Sequence, residues 1–180
     1  MAEARVKFTY EDYKSLPSEG RYELLEGELV VVPSPRTYHQ RISGNLEFLL
    51  RAFVQEHGLG EIFHAPYDVV LSEETVLQPD IIFIAKEWAH IITEDNVRGA
   101  PDLVIEVLSE ATAERDRIAK RLLYAKYGVK EYWLVDPARK SLEVLRLGER
   151  GFETVGIWWE NQKMRSPLLP GLAIDLGKVF

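Results

Sequence analysis

Residues 100–137 read APDLVIEVLSEATAERDRIAKRLLYAKYGVKEYWLVDP, and this stretch decides the fold. It contains two short, almost continuously apolar runs, Leu103–Leu108 and Glu131–Val135, separated by a segment with helical periodicity that ends at Gly128. Continuous apolar runs of this length are typical of strands covered on both faces. The stretch therefore predicts a strand, a helix and a second strand. Its unusual residue is Glu106, a carboxylate inside the first strand.

Outside this stretch, apolar periodicity and turn residues predict two further helices and several strands. The helices are a short one capped by Thr9 and a long one from Thr37 to His57. The strands are Tyr22–Leu25, Glu28–Val32, Glu61–Leu71, Asp80–Ala85, Ser141–Arg146 and Phe152–Trp159, with one more short strand in the C-terminal tail. This order predicts an α/β protein of the α+β kind, with a mixed sheet and two main helices. The length suits a single domain covering residues 1–180.

The composition, 46% apolar and 28% charged residues, is that of an ordinary globular protein. No apolar run reaches the roughly 20 residues of a membrane helix, and the N-terminal stretch MAEARVKFTYEDY lacks the apolar segment of a secretory signal. We therefore expect a cytoplasmic protein without a membrane partner. The absence of cysteine excludes disulfides and thiolate metal sites. The net charge of −7 argues against non-specific nucleic-acid binding, but it is compatible with a local basic groove or an acidic metal site.

Three carboxylates are candidates for a shared site. Asp102 and Glu106 lie on one face of the same strand but roughly 13 Å apart, too far for one ion with oxygen ligands at about 2.1 Å. Asp80 begins another strand. Antiparallel pairing of the two strands would bring Asp80 beside Glu106, whereas parallel pairing would bring it beside Asp102. The residues alone leave both pairings open, and they also allow Glu106 to be an acid that is merely paired with an arginine or exposed at a sheet rim.

The predicted helix from Thr112 to Gly128 carries a polar row at i, i+4 and i+8, namely Asp116, Lys120 and Tyr124. This row borders an apolar stripe of Ile118, Leu122 and Ala125, widened by Ala119 and Leu123. One interpretation is a solvated helix edge with an Asp–Lys pair. The other is that Lys120 reaches Glu106, because it lies roughly 12 Å from the helix start and helix side chains lean toward the N-terminus.

Several blocks of this sequence resemble the Uma-two family of proposed endonucleases: YELLEGELV, SPRTYHQRISGNL, LQPDIIFI, LLPGL and the stretch quoted above. The resemblance runs from about Tyr10 to Phe180. That family is placed in the PD-(D/E)XK restriction-endonuclease-like superfamily, whose core is helix, antiparallel strands, helix and strand. The resemblance therefore implies antiparallel pairing and a nuclease core at 36–137. An N-terminal helix and hairpin would precede it at 1–35, and a C-terminal strand extension would follow at 138–180.

The resemblance also implies a metal site. Asp80 and Glu106, together with the main-chain carbonyl of Val107, would bind a divalent ion, usually Mg²⁺, with Mn²⁺ as the alternative. Such an ion stabilises charge on a phosphate and activates water. Glu23, in the N-terminal block, would be an additional acid near the metal. His39 is interpreted as structural, because one histidine after a Ser-Pro turn is not a metal site by itself.

This chain departs from the superfamily pattern at Leu108, where the superfamily has a lysine two residues after the acid. Related nucleases supply that lysine from the following helix. Lys120 is therefore the candidate for orienting the attacking water, with Asp116 and Tyr124 as supports. An outward, solvated Lys120 would favour a domain without catalytic activity.

The leading hypothesis is a Mg²⁺-dependent DNA endonuclease that hydrolyses phosphodiester bonds as a homodimer, since cutting two strands favours a two-fold pair of sites. Trp158 and Trp159 suit an interface, a DNA-facing surface or the core equally well. The second hypothesis is a catalytically inactive nuclease-fold module that binds DNA or protein. The third is a metal-dependent hydrolase with another substrate, although the chain has no glycine-rich phosphate loop and no nucleophile elbow.

Overall fold

The computed structural model describes residues 6–17 and 19–180, so the first five residues of the predicted domain lie outside it, as does Ser18. The helices are α1 (Tyr10–Lys14), α2 (Thr37–Glu56), α3 (Ala113–Arg115) and α4 (Arg121–Tyr127), and a π-helical turn (Asp116–Lys120) joins the last two. Short 3-10 helices span Lys86–Ile91 and Leu176–Lys178. The strands β1 to β13 are, in chain order, Tyr22–Leu25, Glu28–Val31, Gly60–His64, Val69–Ser72, Thr75–Leu77, Ile81–Ala85, Val97–Arg98, Leu103–Val107, Glu131–Asp136, Ser141–Gly148, Gly151–Trp159, Lys163–Arg165 and Ala173–Asp175.

The central sheet has six strands in the order β11-β10-β9-β8-β6-β3. Its neighbouring strands pair antiparallel, except that β8 and β9 are parallel. Parallel strands need a crossover connection, and here the crossover is the α3–α4 helix of the stretch quoted first. The predicted mixed sheet is confirmed, and so is the predicted strand, helix, strand unit.

Both faces of the central sheet are covered, which explains the nearly continuous apolar runs of β6, β8 and β9. One face packs against the apolar stripe of α2, whose buried residues are Ile42, Leu46, Leu50 and Val54. The other face packs against Leu123 and Tyr124 of α4. Within the described ranges, no helix is long and apolar enough to cross a membrane.

A second, five-stranded sheet has the order β2-β1-β5-β4-β7, and β12 pairs with β13 in a third. The predicted hairpin of β1 and β2 is confirmed. Its two turn residues, Glu26 and Gly27, have φ of 50° and 88°, as a two-residue hairpin turn requires. This hairpin matters for function because Glu23 lies on β1.

The predicted strand Glu61–Leu71 is wrong, since the structure divides it into β3 of the central sheet and β4 of the second sheet. Pro66 lies between them, and a proline cannot donate a hydrogen bond to a β ladder. The short strands β5, β7 and β12 were not predicted. They have two or three residues each, too few for an alternating pattern to be recognised.

The helix after β8 turns its polar row toward the sheet, which agrees with the interpretation in which Lys120 reaches Glu106. Ile118 and Leu122 of the apolar stripe are 57% and 67% exposed, whereas Asp116, Lys120 and Tyr124 are buried. Buried acids are costly without a paired cation, and the inward lysine provides one. The polar row therefore faces the sheet. Two of its residues lie in the π-helical turn, a feature often found at functional sites.

Candidate active site

The register of β6 and β8 brings two of the candidate acids together. The strands pair antiparallel with Ile81 opposite Ile105, so continuing the register by one residue places Asp80 opposite Glu106. Opposed residues in an antiparallel pair have Cα atoms roughly 4.5–5.5 Å apart. The antiparallel pairing implied by the family resemblance is confirmed.

Asp102 lies at the other end of β8 and has a different role. Its Oδ2 accepts a hydrogen bond from the Ala85 backbone N–H at 2.7 Å. Its Oδ1 lies 2.6 Å from Lys130 Nζ. Both carboxylate oxygens therefore hold neighbouring segments together at the end of the sheet remote from Glu106.

Lys120 lies at the centre of a buried charge cluster. Its Nζ is 2.8 Å from Glu23 Oε1, 2.9 Å from Glu106 Oε1 and 3.4 Å from Asp116 Oδ1. The hydroxyl of Tyr124 donates a hydrogen bond to the same Glu106 oxygen at 2.8 Å. The structure thus brings together five of the residues singled out in the sequence, and Lys120 points inward.

Two further contacts hold this cluster, and sequence reasoning did not find either. The backbone N–H of Gln78, two residues before Asp80, donates to Glu23 Oε1 at 2.9 Å. The Tyr132 hydroxyl donates to the Asp116 carbonyl at 3.0 Å and so anchors the π-helical turn. The two residues of each contact are well separated in the chain, so no local sequence pattern indicates the contact.

Burial and charge shift the pKa values of the cluster. Burial alone would lower the pKa of Lys120, but the charges of Glu106, Glu23 and Asp116 outweigh it and raise that pKa well above its usual value. Burial raises the pKa of Glu106 well above its usual value, and the lysine offsets this only in part. The pKa of Asp116 is raised by burial in the same way. Lys120 therefore stays cationic, and Glu106 and Asp116 retain protons more readily than exposed acids.

Asp80 is held by two groups. Its Oδ2 accepts a hydrogen bond from the Val107 backbone N–H at 2.7 Å and lies 3.3 Å from His39 Nε2. Burial lowers the pKa of His39, but its hydrogen bond to Asp80 and the charge of that carboxylate raise it overall. His39 therefore contacts a candidate site residue, which its position after a Ser-Pro turn did not reveal.

The candidate residues line one pocket of about 770 Å³. Six of the seven predicted site residues contribute to its lining: Glu23, Asp80, Glu106, Val107, Asp116 and Lys120. Tyr124 is not among the lining residues and contacts the site through Glu106. Leu108, which takes the position of the superfamily lysine, also lines the pocket.

The donor atoms of this pocket suit a hard divalent cation. Residues 6–17 and 19–180 contain no group of three or more His, Cys, Asp or Glu side chains already arranged as a metal cage. Mg²⁺ is usually bound through one or two carboxylates, with water and substrate phosphate completing its shell. The hydrogen bonds described above are accepted by Asp80 Oδ2 and Glu106 Oε1. The second oxygen of each carboxylate accepts no hydrogen bond from the described residues. The residues present therefore fit Mg²⁺ or Mn²⁺.

Comparisons with known proteins agree with this fold. The sequence profile of the Uma2 family, described as “Putative restriction endonuclease”, matches residues 10–177. The “Uncharacterized protein sll1609” of Synechocystis sp. is 26% identical over 145 residues, which cover 79% of this chain and 81% of that protein. A crystal structure described as “a putative nuclease belonging to DUF820” from Anabaena variabilis has a TM-score of 0.79 and 22% identity, covering 96% of this chain and 97% of that one. The same fold therefore extends over nearly the whole of both chains.

Proposed function

Because this chain belongs to the Uma2 family, described as “Putative restriction endonuclease”, we propose that it is a metal-dependent DNA endonuclease that hydrolyses phosphodiester bonds. One observation carries the proposal beyond family membership. Lys120 lies 2.9 Å from Glu106 inside the pocket that Asp80 also lines. A lysine of the following helical segment therefore lies beside the strand acid, whereas the strand itself has Leu108 in place of a lysine.

In this proposal Asp80, Glu106 and the Val107 carbonyl hold Mg²⁺ or Mn²⁺. When bound, the ion stabilises negative charge on the phosphate and lowers the pKa of a bound water. Lys120 keeps a positive charge beside Glu106, where it would stabilise the charge that develops on the phosphate oxygens. Tyr124 fixes the Glu106 carboxylate through its hydroxyl.

Glu23 and Asp116 are positioning residues for Lys120. Their carboxylates lie on two further sides of its ammonium group, so the flexible lysine chain is held in one place. Glu23 comes from the second sheet and Asp116 from the π-helical turn, and their contacts with one lysine join both elements to the central sheet.

The charge of the pocket supports a requirement for metal. Six carboxylates line it, whereas its permanent cations are three: Arg21, Arg36 and Lys120. A phosphate entering such a pocket meets an excess of negative charge, which opposes binding. A divalent ion at the acids reverses this effect locally. The acidic composition of the chain and a DNA substrate are therefore compatible once the ion is counted.

A plasmid-nicking assay tests the proposal. Purified protein with Mg²⁺ or Mn²⁺ is expected to convert supercoiled plasmid DNA to open circles, since the ion is needed to bind and polarise the phosphate. Addition of EDTA is expected to stop nicking, and excess Mg²⁺ to restore it. Nicking that continues in EDTA would contradict the metal requirement.

The competing function is a catalytically inactive module that binds DNA or protein. The observation favouring it is that the Lys120 amine already has three carboxylate partners, as a purely structural ion cluster would. The same assay separates the two functions. Protein that binds plasmid in a gel-shift experiment but nicks it with neither Mg²⁺ nor Mn²⁺ would favour the inactive module.

The proposed enzyme is a homodimer, and a cytoplasmic location with access to DNA is part of the same proposal. Support comes from β11, the outer strand of the central sheet. Its residues Val155, Ile157 and Trp159 are 43%, 50% and 42% exposed, and exposed apolar strands at a sheet edge favour pairing with another chain. Light scattering is expected to give twice the chain mass of 20.7 kDa, and Ile157→Lys to give the monomer. A monomeric wild-type protein would contradict the dimer.

A further inference from the structure

Within the proposed metal-dependent nuclease, His39 occupies a place that the three implied metal ligands leave unexplained. It lies in the first turn of α2 and lines the pocket. Its side chain is 14% exposed. The ring points toward Asp80 and toward the Val107 backbone, so it faces two of the three groups proposed to hold the ion.

The separation between His39 and Asp80 matches that of two ligands on one ion. Ligands at about 2.1 Å from an octahedral ion, and at right angles to each other, lie about 3.0 Å apart. His39 Nε2 and Asp80 Oδ2 are 3.3 Å apart. A carboxylate oxygen has two lone pairs, and the Val107 N–H uses one of those on Oδ2. The other is left for the imidazole or for a cation, so Asp80 can bind an ion through Oδ2 as well as through the unpaired Oδ1.

The second ring nitrogen also lacks a protein partner. His39 Nδ1 is buried and has no hydrogen-bond partner among the described residues. A buried polar atom of this kind calls for a specific explanation, such as an ion or water at the site. A neutral imidazole carries one proton, so ligation through Nε2 places that proton on Nδ1, and Asp80 then contacts the ion instead of the Nε2 proton.

We infer that His39 is a direct ligand of the divalent ion, alongside Asp80, and that this gives the site a preference for Mn²⁺ over Mg²⁺. Imidazole suits transition metals, whereas Mg²⁺ prefers oxygen ligands throughout. This inference rests on the proposed function for its metal site, but it adds a nitrogen ligand and a metal preference that the implied ligand set of two acids and a carbonyl does not contain.

Electron spin-echo spectroscopy of the Mn²⁺-loaded protein tests the inference without using activity. A directly bound imidazole couples its ¹⁴N nucleus to the Mn²⁺ electron spin, and we expect this modulation in the wild type. His39→Ala is expected to remove it. The same variant is expected to weaken Mn²⁺ binding by at least about tenfold, measured by calorimetry, while Mg²⁺ binding changes less.

The chain offers a matched control in His57, which is exposed, follows α2 and is one of the four histidines of the chain. His57→Ala should keep both the ¹⁴N modulation and the Mn²⁺ affinity. Mn²⁺ that binds the wild type without ¹⁴N modulation, but still requires Asp80, would overturn ligation by His39 and leave the proposed metal site intact. Failure of Mn²⁺ and Mg²⁺ to bind at all would overturn both.

Discussion

Lys120→Met is expected to destabilise the protein by about 3–5 kcal/mol, the usual result of removing one partner from a buried ion pair. The methionine fills a similar volume but leaves Glu23, Glu106 and Asp116 without their cation. For a chain of this size the loss corresponds to a fall in Tm of roughly 6–20 °C. Urea unfolding followed by circular dichroism measures it.

The loss of stability in Lys120→Met should depend on pH. The pKa of Glu106 is already raised above its ordinary value of 4.5 by burial, and loss of the lysine raises it further. Between the ordinary and the raised value, the native state holds a proton that the unfolded state releases, so stability falls as the pH rises through that window. Lys120→Met is therefore expected to be closer to the wild type at pH 5 than at pH 8.

Lys126→Met is the matched control for this variant. Lys126 lies on α4, and its ion pair with Glu26 is exposed on both sides, where ion pairs contribute little. We expect almost no change in the free energy of unfolding. A Lys120→Met protein as stable as the control at pH 8 would mean that the buried acids are not charged in the native state.

Glu106→Gln is expected to reduce plasmid nicking at least about 10²–10³-fold, because a weakly held ion no longer stabilises transition-state charge, and losing one such stabilising group typically costs this much. The glutamine keeps the size of the side chain and can still accept hydrogen bonds from Lys120 and Tyr124, so the fold should persist. It lacks the negative charge that holds a divalent ion. Initial nicking rates at saturating Mg²⁺, together with a thermal melt, separate lost chemistry from lost folding.

Asp80→Asn should give a loss of the same order, because Asp80 is the other carboxylate of the proposed metal site. Glu61→Gln is the matched control, since Glu61 is an exposed glutamate on β3 of the same central sheet, and it should nick at the wild-type rate. A Glu106→Gln protein that nicks at the wild-type rate would contradict the assigned site. A Glu61→Gln control as inactive as Asp80→Asn would contradict it as well.

Much of this site was predictable because its residues stand in short local patterns. Pro79-Asp80 before one apolar run and Glu106 within another mark two buried strands, and the family resemblance supplied their antiparallel pairing. The spacing of Asp116, Lys120 and Tyr124 placed three polar side chains on one helix face. These features depend only on the periods of strands and helices.

The orientation of that helix was not predictable in the same way. By apolar periodicity Ile118 and Leu122 should be buried, and both are exposed. The direction is set by charge, because Glu23 and Glu106 need a buried cation and Lys120 is placed to supply it. Glu23 comes from another sheet, more than 80 residues away in the chain, so no window of sequence contains the reason.

The sequence by itself determined strands β6, β8, β9, β10 and β11 of the central sheet, the helix between β8 and β9, and the candidate acids Asp80 and Glu106. Only the tertiary structure decided which face of that helix is buried, that Glu23 joins Lys120, and that His39 lies 3.3 Å from Asp80. The physical reason is the distance along the chain over which each kind of interaction acts. Periodicity and turn chemistry act over a few residues, whereas the pairing of buried charges depends on groups that only the completed fold brings within about 3 Å of each other.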